Sequence, residues 1–77
     1  MADANFPLKK LIEEMIEHQE KKVLKLAREL VNDLTLEDIR NPQDFPDLYN
    51  NTHFNYEDGI LSGYLSIKIA LSKLNKK

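Results

Sequence analysis

The sequence predicts an all-α protein: an antiparallel helical hairpin with a connector containing short helical turns, pairing into a dimeric four-helix arrangement. Three observations carry this expectation. Apolar residues recur at i, i+3, i+4 and i+7 over residues 8–34 and again over 60–74, the period of a helix with one buried face. The stretch between them, Asn41 to Gly59, holds two of the three prolines and most of the aromatics, so the chain stops and reverses there. Finally, 77 residues with no cysteine bury too little surface to be robust alone, and self-association is the usual remedy.

The whole chain, 1–77, reads as a single helical domain. Asn5 is placed to cap a first helix and Pro7 suits its first turn, where a missing N–H leaves nothing unpaired. Leu8, Leu11, Ile12, Met15 and Ile16 set the stripe, and Val23, Leu26, Ala27, Leu30, Val31 and Leu34 resume it, giving a long helix over about 6–33. Gln19 interrupts a near-heptad series, Ile12, Ile16, Gln19, Val23, Leu26, Leu30. It reads as a rim residue, with a buried amide that fixes helix register across a pair as the sharper alternative.

The connector spans about 35–54. Thr35-Leu36-Glu37-Asp38 has the form of a capped short helix, and the Asn41-Pro42 and Phe45-Pro46 pairs each suggest a further turn. Asn55 is expected to cap a second long helix over about 56–74, with Glu57 and Asp58 in its first turn. Ile60, Tyr64, Ile67, Leu71 and Leu74 step by four, three, four and three along it, while Leu61 and Leu65 fall on a far flank. A rival reading makes 52–70 a β-hairpin, because Leu65, Ile67, Ile69 and Leu71 also alternate and Asp58-Gly59 is a turn pair. The helix is preferred, since its pattern persists to Leu74, Gly63 would weaken a strand, and two strands alone make a poor sheet. The termini, Met1 to Ala4 and Asn75 to Lys77, are expected to fray, with Lys76 and Lys77 well placed at a helix C-terminus.

Beside the second seam, Gly59, Gly63, Ser66 and Ala70 fall in a narrow band, a smooth strip that another backbone could approach closely. A single long helix cannot cover both seam and strip, which is the main argument for a homodimer. The expected self-association face comprises Gly59, Gly63, Ser66, Ala70, Ile60, Tyr64, Ile67 and Leu71.

No arrangement enforces chemistry, so the expectation is no cofactor, no metal and no catalytic residue. Glu14 lies four residues before His18, not the three of a di-iron helix motif, and His18 points away from the apolar stripe. Serines 62, 66 and 72 lie along a helix, without the strained turn of a hydrolase nucleophile. In the connector, Asp44, Asp47, His53, Glu57 and Asp58 could meet as a metal-binding or acid–base site, though such residues are also the ordinary punctuation of turns. Phe45, Tyr49, His53 and Phe54 are candidates to face a partner from the joint, against the plainer role of closing the open end of the helix pair.

A net charge of −2 disfavours nucleic acid, which would need Lys9, Lys10, Lys21, Lys22, Lys25 and Arg28 on one face. No run approaches the ~20 apolar residues of a membrane span, and MADANFPLKK lacks the look of a secretory signal, so a cytoplasmic location is expected. The functional expectation is a small dimeric adaptor or regulator acting through an unidentified protein partner. The alternative is a metal-binding or acid–base enzyme built on the connector acids and His53.

Overall fold

The computed structural model describes residues 6–75. Helix α1 runs Phe6–Leu30, short helix α2 Leu36–Ile39, a 3-10 turn Pro42–Asp44, short helix α3 Pro46–Tyr49 and long helix α4 Thr52–Asn75. No strand occurs among the described residues, so the rival hairpin gives way to a continuous helix. The expected cap at Asn5 and the ends 1–4 and 76–77 lie outside the described residues.

Contacts between α1 and α4 fix their sense: Gln19 meets Glu57, while Glu13, earlier in α1, meets Lys68, later in α4. The two are therefore antiparallel. The core between them is Ile12, Ile16, Val23 and Ala27 from α1 with Phe54, Leu61 and Leu71 from α4. Leu34, Ile39 and Leu48 of the connector complete it at the turn end. Phe54 and Leu48 are fully buried, so the joint is packed as a plug and not merely crossed.

The connector is built from local capping. Thr35 accepts from the Asp38 backbone N–H while Asp38 accepts from the Thr35 backbone N–H, the reciprocal capping box its spacing announced. Pro42 and Pro46 each open a turn at a position where no N–H is required.

Three boundaries and faces differ from the sequence expectation, each for a local reason. Helix α1 ends at Leu30, because Asp33 takes a positive φ of 65° and turns the chain, and Arg28 Nε donates to the Leu34 carbonyl at 2.7 Å. Val31 and Leu34 still reach the core, but from a bend. Helix α4 begins at Thr52, one turn early, since Asn51 and not Asn55 caps it: Asn51 Oδ1 accepts from the Phe54 N–H at 2.8 Å. Asn55 lies within the first turn and donates to the Tyr49 carbonyl at 2.9 Å, tying α4 to α3. Lastly, Leu61 is buried where a far flank was expected, whereas Ile67 and Leu74 of the expected seam are exposed.

Two stability outcomes follow. Phe54→Ala is expected to cost about 3–5 kcal/mol, the range for emptying a buried aromatic site, seen as a lowered urea midpoint. Thr35→Ala should cost about 0.5–2 kcal/mol by the same measurement, because it removes a cap and touches no core side chain.

Candidate interaction surface

Among the described residues, one buried polar contact joins the two long helices. Gln19 and Glu57 are both buried, and the Gln19 amide Nε2 donates to the Glu57 backbone carbonyl and to its Oε1, each at 2.9 Å. The other carboxylate oxygen, Oε2, faces Lys22 Nζ at 3.3 Å and His53 Nε2 at 3.6 Å. The rim role expected for Gln19 is thus replaced by the buried one, with the difference that it joins two helices of one chain. Donation from Gln19 holds the Glu57 carboxyl below its ordinary value of 4.5; burial opposes this, and Lys22 and His53 add to the lowering.

The consequence for α4 is rotational. With Glu57 turned onto α1, the inward face becomes Phe54, Glu57, Leu61, Tyr64, Lys68 and Leu71, spaced three, four, three, four and three. Of the expected self-association face, Leu71 is buried in this core, and Tyr64 and Ile60 are half-buried. Gly59, Gly63, Ser66, Ile67 and Ala70 are all exposed. Together with Tyr56 and Leu74, these leave a second heptad series on the outside: Tyr56, Ile60, Gly63, Ile67, Ala70, Leu74. Three of its large members are bare, Tyr56 67%, Ile67 46% and Leu74 64% exposed. A Cβ added at Gly59 or Gly63 meets nothing within 4 Å, and the Ser66 hydroxyl is folded back onto the Ser62 carbonyl. The strip is therefore smooth and open.

The flanks of the helix pair differ. On one, Leu36, Ile39, Arg40 and Pro42 of the connector lie over Glu20 and Leu61, with Arg40 reaching Glu20 at 3.7 Å. Half-buried Asp58 lies in the same cleft, and burial raises its carboxyl above its ordinary value. The other flank carries two shallow clefts lined by α1 and α4 alone. One, of about 240 Å³, lies by Met15, His18 and Tyr64; the other, of about 230 Å³, by Lys22, Leu26 and His53. Both are below the ~300–1,000 Å³ of typical small-molecule sites. A larger hollow of about 510 Å³ beside Leu65, Ile69 and Lys73 is lined by α4 alone, so it is a bare surface without opposing walls.

The joint residues divide. Phe54 is wholly buried and Phe45 half-buried, whereas Tyr49 and His53 are exposed. Of the connector acids, Glu57 is the one placed beside His53; Asp44 and Asp47 are exposed on the connector, and Asp58 faces the opposite flank. Among the described residues no three His, Asp or Glu side chains are gathered to hold a metal ion. Several cations have intrachain partners: Lys21 pairs with Glu17, Lys22 with Glu57, Lys68 with Glu13, and Arg28 with a carbonyl. Among the described residues, no helix is long and apolar enough to cross a membrane. The chain matches no protein-family model, no curated protein and no solved structure.

Gly59, Gly63, Ser66 and Ala70 are exposed on α4, whereas its inward face runs through Leu61 and not, as the spacing predicts, through Ile67 and Leu74. The missed signal was the pairing of Gln19 with an acid at the start of α4: two polar residues at core positions of facing helices suggest each other.

Because the folded carboxyl of Glu57 titrates below 4.5, its bonds stabilise the fold fully above that pH. That contribution is lost as pH falls through the lower folded value. Urea midpoints taken down the acid range should therefore fall less in Glu57→Gln than in the wild type. Gln19→Leu alone should destabilise, since it strips the carboxylate of its donor, whereas Gln19→Leu with Glu57→Leu should recover stability.

Proposed function

We propose that this chain is a small cytoplasmic helical protein that works through protein–protein interaction, as a dimeric adaptor or regulator, with the outer face of α4 as its self-association surface. One observation carries the reading: α4 has two heptad seams, and α1 covers one. Exposed Tyr56, Ile67 and Leu74 lie along a line of small residues on one side of α4, and exposed apolar surface of this kind marks interaction sites. The elongated shape, 47 × 19 × 18 Å, supports it too, since a single layer of two helices presents long sides for lateral pairing. An unidentified protein partner would then bind the dimer, with exposed Tyr49 and His53 at the joint as further contacts.

The alternative, a metal-binding or acid–base enzyme, draws its support from His53 beside Glu57. It is the weaker reading, because the Glu57 carboxylate already accepts from Gln19 and faces Lys22.

Sedimentation equilibrium tests the dimer: the expected mass is about 18 kDa, twice the 9.0 kDa chain. A 9.0 kDa species persisting at high micromolar concentration would sink the reading. Gly63→Leu sharpens the test. In the lone chain it meets open space and replaces a poor helix former, so it should stabilise a monomer by up to about 1 kcal/mol. Weakened dimerisation in this variant supports the face. A partner that co-purifies with the tagged wild type should be lost with Ile67→Lys.

A further inference from the structure

We infer that α4 pairs antiparallel with α4 of a second copy, about a two-fold axis level with Leu65, so that Ile60 of each copy seats on Ala70 of the other and Ile67 on Gly63. This rests on the dimer reading above and gives it a geometry.

The order of residues along the outer seam carries the inference. Tyr56, Ile60, Gly63, Ile67, Ala70 and Leu74 are centred on position 65. Reversing one copy about that centre sets large against small twice, Ile60 on Ala70 and Ile67 on Gly63, with Tyr56 and Leu74 closing each end. Bulky side chains then enter open strip, because a Cβ at Gly63 meets nothing in its own chain and the Ser66 hydroxyl is turned onto its own helix. A parallel pair in register would set Ile67 on Ile67 and Gly63 on Gly63, leaving a gap at each small residue. Voids of that kind forfeit contacts outright.

Charge favours the same sense. Residues 20–58, which form the connector end of the rod, hold five basic and nine acidic side chains. The described remainder, 6–19 and 59–75, holds four basic and three acidic. Antiparallel pairing brings each acidic end beside the neutral-to-basic end of the other copy, whereas parallel pairing sets the two acidic ends side by side. The macrodipoles of the two α4 helices are also opposed.

The chain has no cysteine, so single introduced thiols report cleanly. Tyr56→Cys and Leu74→Cys chains, one carrying a mass tag, are mixed and oxidised. The seam from 56 to 74 is about 27 Å long, far beyond the reach of a disulfide between like positions in an antiparallel pair. The expected product is the mixed disulfide joining the Tyr56→Cys chain to the Leu74→Cys chain, with little of either homotypic one. Predominant homotypic products mean a parallel pair and overturn the inference. So does absence of any disulfide in samples that sediment as dimers, an outcome that leaves the dimer reading standing; a monomer throughout overturns both.

A swap supplies the second measurement. Ile60→Ala should weaken dimerisation about tenfold or more by removing a buried branched side chain at the interface. Ile60→Ala with Ala70→Ile should restore it to within about threefold, since the two positions face each other. A double variant weaker than both single variants overturns the proposed register.

Discussion

The packing of α4 depends on one amide. Gln19 lies in the middle of an apolar stripe and is shielded from water, where its two N–H groups must find acceptors. Both acceptors belong to Glu57, its backbone carbonyl and its carboxylate, so a single residue of α4 is held at a single level of α1. Apolar contacts alone would not choose so narrowly. The core of α4 and its outer seam are both heptad series, and the inward one carries two charged members, Glu57 and Lys68. The polar contact favours the inward series, because this rotation brings the Glu57 carboxylate to its donor.

From that rotation the surface follows. Leu61 turns inward and displaces the seam that runs through Ile67 and Leu74, which remains outside with the small residues beside it. Lys68 comes to the edge of the interface and reaches Glu13 at 4.0 Å, a partly exposed pair that marks the same alignment nearer the open end of the hairpin. At the turn end, Phe54 and Leu48 fill the space between the helices, and the connector folds over one flank only. What is left bare is thus set by what is pinned.

The connector is more local in origin. Its capping box, its two proline-led turns and the Asn51 cap follow from neighbouring residues and from side-chain bonds spanning three positions. Its aromatics split by this geometry: Phe54, one turn into α4, points to the core, while Tyr49 at the end of α3 does not. His53 sits beside Phe54 in sequence but about 100° away around the helix, which places it at the open cleft next to Glu57.

The sequence by itself determined the class of structure. Period-3.6 patterning, the Thr35 capping box and the paired prolines specify two long helices and a turning connector through interactions a few residues in range. It was legible, too, that α4 has more apolar circumference than α1 can cover, and that Gly59, Gly63, Ser66 and Ala70 form a strip. Only the tertiary structure decided which face of α4 goes inward, because Ile60 and Leu61 are equally apolar neighbours and the polar contact that goes with Leu61 inside joins Gln19 to Glu57, 38 positions apart. The same holds for the ends of the helices. Asn51 and Asn55 are equally good caps by type, and the one that caps is the one whose helix then places Phe54 in the core.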